Sequence, residues 1–342
     1  MTLVIDCENI KWDEYCKKMP IEKQDIYFTR QYYCMGQKVQ GGNGKLFVYE
    51  DENGNIGLYP FIKREVICPE NEKKYYDIET AYGYGGPIIK EEKPQFVRAF
   101  ESAFLQYCQK ESIIAEFVRF HPLLKNEHVF IDDIQAVHNR STVWLDLDTD
   151  IENIWMNDIS AQNRNTIRKG TKNGLRVVEQ HDYSKFMELY IDTMRNVGAD
   201  KFYYFEESYF DEMENSKEYI LLEVKYESRT IAAAVFMGYG NYFHYHLAGS
   251  DKNFLKLAPN NVLLWEAIKY AKEHGYKKMH FGGGLTDSLD DSLFRFKQRF
   301  SSTYADFYIG KRIHNKEVYD SLIRSWEEKH GRKASLLLQY RE

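Results

Sequence analysis

Two periodicities of apolar residues run through the chain, and their order sets out its elements. Phe96, Phe100, Phe104 and Tyr107 recur at helical spacing behind the entry Glu91-Glu92-Lys93-Pro94, which predicts a helix. Short strands and turns precede it. Residues 45–49 read as a strand between the turn signals Gly41-Gly42-Asn43-Gly44 and Glu52-Asn53-Gly54-Asn55. A strand over 113–120 follows and stops at His121-Pro122. A hairpin is predicted next, 128–137 with 142–147, turning at His138-Asn139-Arg140. The acidic stretch Asp146-Leu147-Asp148-Thr149-Asp150 reads as a junction between domains.

The later half is more regular. A helix is predicted over 151–173, stopped by Gly174, then a strand over 175–179 and a helix over 184–195 with Ser184 as N-cap. A Tyr/Phe-rich loop leads to a meander of three strands, 219–226, 230–237 and 242–248, whose short turns enforce antiparallel neighbours. Pro259-Asn260 opens a helix striped by Leu264, Ile268 and Ala271, with Gly275 at its C-terminal cap. A strand over 277–281 runs into Gly282-Gly283-Gly284, and a helix over 288–300 carries Leu289, Leu293, Phe296 and Phe300 on one side. A strand over 306–311 and a helix over 315–329 close the chain.

Helix, strand, helix, antiparallel meander, helix, strand, helix, strand is the order of an acetyltransferase fold. The first half echoes it, because Phe100-Glu101 before Arg119-Phe120-His121-Pro122 parallels Trp265-Glu266 before His280-Phe281-Gly282-Gly283. The expected class is α/β (α+β), with two tandem acetyltransferase-like domains, each a mixed, mostly antiparallel sheet flanked by helices. Domains are expected at 1–148 and 149–304, with 305–342 adding a strand and helix that pack back on the first.

Composition narrows the setting. A chain of 342 residues suits two domains of about 150 residues each. An apolar share of 43% with 29% charged residues is ordinary for a folded protein and argues against disorder. The net charge of -6 argues against coating of DNA through the overall field, while leaving a local basic patch open. Cys7, Cys16, Cys34, Cys68 and Cys108 form no CxxC pair, an arrangement expected of thiols in a reducing compartment. The opening Met1-Thr2-Leu3-Val4-Ile5-Asp6 lacks the pattern of a signal peptide, and no stretch approaches the ~20 apolar residues of a membrane span. A soluble, cytoplasmic protein is expected, with membrane contact peripheral at most. No HExxH, Cys/His cluster or paired carboxylates at helical spacing announce a metal, so none is expected.

Several segments resemble the Fem family, tandem-acetyltransferase proteins that add amino acids to peptidoglycan precursors. They are Ala248-Gly249-Ser250, Lys256-Leu257-Ala258-Pro259-Asn260, Trp265-Glu266-Ala267-Ile268, Phe281-Gly282-Gly283 and Leu293-Phe294-Arg295-Phe296-Lys297. Arg164-Asn165-Thr166-Ile167-Arg168-Lys169-Gly170 before Gly174-Leu175 is another. Tyr82-Gly83-Tyr84-Gly85-Gly86-Pro87 looks like the first-domain glycine loop of relatives from envelope-polysaccharide pathways. The long coiled-coil arm that some members insert is not evident between Asp182 and Asn215.

The resemblance implies an essential lysine at Phe296-Lys297. In the family's reaction an amine attacks an activated ester, and a fixed cation steadies the oxyanion that develops. Lys297 shares a helix with the Phe296 and Phe300 stripe but points to another sector, which leaves its ammonium to face a cleft. Arg164, Arg168 and Lys172 fall at i, i+4 and i+8, one basic face that would attract phosphates of a nucleotide-linked acceptor or an RNA acceptor stem; a solvated charged face gives the same pattern. The resemblance also carries over Lys201, Tyr203 and Tyr204 as acceptor contacts, and Tyr245 likewise. Strand alternation puts His244 and His246 on one face and Tyr245 on the other. His244, His246 or His280 suit proton acceptance near neutral pH, as does solvent or the substrate, so no general base is assigned.

The donor stays open between aminoacyl-tRNA and acyl-CoA, with no tightly bound cofactor expected. Acetyltransferases hold the coenzyme A pyrophosphate on a glycine-rich helix start. The stretch here, Lys256-Leu257-Ala258-Pro259-Asn260-Asn261-Val262, has no glycine, and Pro259 removes an amide donor. Gly282-Gly283-Gly284 lacks a P-loop ending and reads as a tight strand exit. The expected function is transfer of an aminoacyl or acyl group to an amine of a peptidoglycan or surface-polysaccharide precursor. Acyl-CoA-dependent acetylation of a nucleotide-linked amino sugar and a non-catalytic, ligand-binding relic are the alternatives. Oligomeric state is not legible.

Overall fold

A computed structural model describes residues 1–68, 73–130 and 134–342. The chain forms two compact units, Met1–Asn139 with Asp306–Glu342, and Arg140–Ala305.

In the first unit, strand β1 (Thr2–Asp6) precedes helices α1 (Lys11–Lys17) and α2 (Arg30–Gln40). The sequence reading missed both helices. Their buried sides are Trp12, Tyr15 and Cys16, and Tyr32, Tyr33 and Met35, so no aliphatic stripe marks them. Thr29 starts α2 by accepting a hydrogen bond from the Tyr32 amide. Strands β2 (Asn43–Glu50), β3 (Ile56–Val66) and β4 (Tyr75–Glu79) form an antiparallel meander, with the short β5 (Ile88–Ile89) against β3. Helix α3 (Pro94–Lys110) then leads to β6 (Ile113–Arg119), which lies parallel to β4. The stripe expected on α3 is the core: Phe96, Phe100 and Phe104 are buried with Phe47, Tyr59 and Phe61. Gly57 admits the Phe100 ring, which would lie 2.5 Å from an added Cβ.

One strand, β7 (Gln135–Asp146), runs where the hairpin was predicted. His138, Asn139 and Arg140 offer no glycine for a tight turn and simply continue the strand. Residues 131–133 of the predicted first arm lie outside the described residues.

The second unit opens with a correction too. The helix expected over 151–173 is broken into α4 (Ile151–Asn153), one wide turn in which the Ile159 amide bonds the Ile154 carbonyl at 3.1 Å, and α5 (Ala161–Lys172). Ser160 restarts the helix, its hydroxyl accepting from the Asn163 amide. Strand β8 (Arg176–Gln180) follows, then α6 (Ser184–Val197) and α7 (Glu207–Glu214). Ser184 is the first residue of α6 and not its cap; Tyr183 stands at the cap position, and Asp182 before it accepts from the Ser184 amide at 2.8 Å.

The meander β9 (Tyr219–Tyr226), β10 (Arg229–Tyr239) and β11 (Tyr242–Ser250) is as expected, with Glu227 and Ser228 both at positive φ in the first turn. Helix α8 (Pro259–Glu273) ends with Gly275 at φ +82 and leads to β12 (Lys278–Gly282), parallel to β11. Helix α9 is shorter than predicted, Ser292–Lys297, because Asp291 caps it. Leu289, placed on its apolar side, lies outside the helix and is exposed. Strand β13 (Thr303–Ile313) and helix α10 (Lys316–His330) return the chain to the first unit.

The two units repeat one plan of strand order. Strand order is β1-β2-β3-β4-β6-β13 in the first unit and β8-β9-β10-β11-β12-β7 in the second. In each, a helix carries the chain from the third strand of a meander to a parallel neighbour, and every other pairing named here is antiparallel. The echoing segments of the sequence fall on these equivalent helices, α3 and α8, and on the strands that follow them.

Candidate functional site

The site is built where β11 and β12 part. The two strands pair over three rungs, Tyr242 to Lys278, Phe243 to Met279 and His244 to His280. Beyond them β11 continues to Ser250 against β10, and β12 ends at Gly282 with φ +78. At the same point β11 bulges. Val235 faces Leu247 and Phe236 faces Tyr245, so His246 is an extra residue.

The bulge overturns the simple alternation expected of this strand. His244 is buried, its ring 5.5 Å from that of His280, while Tyr245 and His246 are both half-buried. Tyr245 packs on Phe236, and burial raises its hydroxyl pKa. The His246 ring meets the Tyr209 hydroxyl at 3.3 Å, and burial, with His244 nearby, lowers its pKa to about 3.

Lys297 reaches the opening from the last turn of α9. Only 7% exposed, its ammonium donates to the Gly283 carbonyl at 2.7 Å and lies 5.8 Å from the centre of the Tyr245 ring. One contact is on the β12 side and the other on the β11 side, so the amine spans the gap between the diverging strands. Burial lowers its pKa to about 7; Asp291 pulls it back up and Arg140 pushes it further down. Phe296, its neighbour, turns inward, packs edge-on against Phe300 and joins the core. It fixes the rotation of α9 that delivers Lys297.

The remaining candidates divide. Lys201 and Tyr203 lie in a single 3-10 turn, with Tyr204 following it. Tyr190 donates to the Tyr203 carbonyl at 2.9 Å and stacks on Phe205, which stacks in turn on Tyr209. Through Tyr209 this aromatic group reaches His246, next to Tyr245. The basic face of α5 splits instead. Arg164 turns back on its own segment and donates to the carbonyls of Trp155, Met156 and Ile159 at 3.2, 2.9 and 2.6 Å. Its guanidinium holds the wide turn, a role the i, i+4, i+8 spacing did not suggest. Arg168 is exposed and rests over the Trp155 ring, on an open groove of about 510 Å³ shared with Lys172 and Trp265.

Sequence reasoning missed Arg140 and Asp291. Arg140 donates to the carbonyls of Gly284 and Leu285 at 2.7 and 3.0 Å. Asp291 receives the amides of Leu293 and Phe294 on one oxygen and those of Leu285 and Thr286 on the other. The Asp-Ser-Leu-Phe start of α9 was a legible capping signal, hidden by extending the helix back to Ser288. The triple glycine has the structural role expected of a strand exit. A Cβ on Gly283 would lie 2.9 Å from Arg140 Cδ, and one on Gly284 2.4 Å from Asp291 Oδ1.

Glycines of the other motifs also serve close packing. Gly249 lets β11 approach α6, where a Cβ would stand 2.5 Å from backbone atoms of Leu189 and Tyr190. Gly170 lets α5 approach α8, 2.6 Å from Val262. At the start of α8, Asn261 bonds Asn163 at 2.7 Å and Asn260 accepts from the Ser250 hydroxyl at 2.9 Å. In the first unit the loop over 82–87 is pinned by Asn126, which donates to the Gly85 and Pro87 carbonyls.

Comparison with known proteins agrees with this architecture. Residues 160–298 match the acetyltransferase (GNAT) domain family. No curated protein sequence matches the chain. Among solved structures, FemX superposes with a TM-score of 0.72 over 94% of this chain and 99% of its own, at 15% identity. The L-PGS structure from Bacillus licheniformis gives 0.57 over 90% and 92% at 13% identity. The C-terminal domain of a putative lysylphosphatidylglycerol synthetase from Agrobacterium fabrum gives 0.55 over 92% and 94% at 13% identity. No helix among the described residues is long and apolar enough to cross a membrane. Residues 160–298 of the second unit thus match the acetyltransferase (GNAT) domain family, and the chain shares the tandem fold of FemX.

Proposed function

We propose that the protein is a Fem-like N-acyltransferase that moves an aminoacyl or acyl group onto an amine of a cell-envelope precursor, a peptidoglycan or surface-polysaccharide intermediate. The observation that carries this reading is the buried Lys297 amine, held between the Gly283 carbonyl and the Tyr245 ring where two parallel strands separate. Attack of an amine on an ester carbonyl builds negative charge on the carbonyl oxygen. An ammonium preset in a site shielded from water stabilises that charge more than the neutral ground state. The developing anion also draws Lys297 towards its charged form, against the burial that lowers its pKa. In this reading Tyr245, Tyr203, Tyr204 and Lys201 contact the acceptor, and Arg168, on the groove with Trp155 and Trp265, offers charge to an anionic substrate. One structure of the same fold is named as a putative lysylphosphatidylglycerol synthetase, an aminoacylated lipid product that supports an envelope acceptor here.

Acyl-CoA-dependent N-acetylation of a nucleotide-linked amino sugar is the second reading, favoured by the acetyltransferase domain over 160–298. Against it stands the start of α8, which has no glycine, where Pro259 has no amide to donate and the Asn261 and Val262 amides already bond the Ala258 carbonyl. Two measurements separate them. Stabilisation by coenzyme A in a thermal shift assay supports the second reading, and dependence of transfer on charged tRNA supports an aminoacyl donor. Mass spectrometry of envelope precursors from cells lacking the gene names the transferred group, and unchanged precursor masses reject an envelope acceptor.

A further inference from the structure

We propose that Asp291, with Arg140, is a positioning residue for Lys297, tying the glycine exit of β12 to the first turn of α9 so that the lysine amine is set on the Gly283 carbonyl. The contacts form a closed circuit. Oδ1 of Asp291 accepts from the Leu293 and Phe294 amides at 3.0 and 2.9 Å, which fixes the start of the six-residue helix that ends in Lys297. Oδ2 accepts from the Leu285 and Thr286 amides at 3.1 and 3.2 Å and from the Thr286 hydroxyl at 3.3 Å. The loop's carbonyls go to two cations in succession, Gly283 to Lys297, then Gly284 and Leu285 to Arg140. Every link is a charge-assisted hydrogen bond, the stronger class.

The circuit explains why glycine stands at both 283 and 284. A side chain at 283 would meet Arg140, and one at 284 would meet the Asp291 carboxylate, so either would push one anchor away. It also places one anion and one cation on opposite sides of the Lys297 charge balance: Asp291 favours the ammonium and Arg140 disfavours it. A helix of six residues has little stability of its own. Its orientation therefore follows its cap.

This proposal rests on Lys297 as the reacting cation, yet its test needs no substrate, so its failure leaves the assignment of the reaction untouched. The full-length protein is acetylated with limiting acetic anhydride across a pH series, and the extent of Lys297 modification is read by peptide mass spectrometry. Asp291→Asn keeps the size of the side chain but presents an amide donor to two backbone amides. With the burial of the amine unchanged, it is expected to shift the Lys297 titration midpoint down and so, by leaving more of the amine neutral, to raise its labelling near pH 7. Arg140→Gln is expected to shift the midpoint up. Opposite shifts with near-native melting temperatures support the circuit. Loss of melting temperature in Asp291→Asn with the Lys297 midpoint unmoved would mean a purely structural cap and overturns it. If Asp291→Asn does not fold, the Arg140→Gln shift decides, and an unmoved midpoint there overturns it equally.

Discussion

A lysine buried to 7% exposure with an amine titrating at about 7 is a conditional cation, and its condition is measurable. Below about 7 the folded and unfolded chains both carry the proton, so stability does not change with pH through this group, although the buried charge carries its full desolvation cost there. Between about 7 and the unfolded lysine value of about 10.4 the unfolded chain binds one proton more, so stability rises with pH, by at most about 1.4 kcal/mol per unit. Lys297→Met removes that dependence. Urea midpoints of wild type and variant are therefore expected to move in favour of wild type from pH 7 to pH 10; parallel curves would show that Lys297 titrates normally. The position of Lys297 was legible in the sequence because Phe296-Lys297 matched a family motif. Its partners were not. The Gly283 carbonyl is a backbone group, and Asp291 looked like one more acidic residue in Thr-Asp-Ser-Leu-Asp-Asp-Ser. Arg164 shows the converse limit. Its place on a basic face was visible, but the wide turn whose carbonyls it holds was not.

Elements of the second unit meet through small residues, so close approach there has no slack. Gly249→Ala places a Cβ 2.5 Å from the backbone of Leu189 and Tyr190, neither of which can rotate away. Overpacking of this kind destabilises by about 1–3 kcal/mol. Equilibrium unfolding of Gly249→Ala is expected to show a loss in that range, and wild-type stability would refute the close approach of β11 to α6. The strands and helices of this unit were the readable part of the sequence, since Pro259, Gly275 and the paired turn residues Glu227 and Ser228 announce its boundaries. Breaks were harder. The bulge at His246 inserts one residue without changing the composition of β11, and the turn over 154–158 interrupts a stretch that keeps helical character on both sides. Helices α1 and α2 escaped because tyrosine, tryptophan and cysteine form their buried sides.

At the scale of the molecule, the chain leaves the first unit after Asn139 and returns to it at Asp306, and buried charge fastens the return. Arg312 on β13 meets Glu101 of α3 at 2.5 Å and lies 3.8 Å from Glu116 of β6, which also accepts from Tyr59 and pairs with His314. Burial alone would raise the Glu116 carboxyl pKa, but His314, Arg312 and Tyr59 outweigh it and lower it. Arg312→Met leaves two carboxylates in the core without that cation, which is expected to cost about 3–5 kcal/mol. Adding Glu101→Gln is expected to recover part of the loss, and a stable single variant would contradict the anchor. The echo between Phe100-Glu101 and Trp265-Glu266 did mark equivalent helices, although Glu101 is a buried ion-pair partner and Glu266 pairs with Lys269 at the surface. The central claim concerns one amine in this architecture. Cells lacking the gene, supplied with wild-type, Lys297→Ala or Lys297→Arg protein, are compared by mass spectrometry of their envelope precursors. The account predicts that wild type restores the missing group and that a folded Lys297→Ala does not; restoration by Lys297→Ala would contradict it.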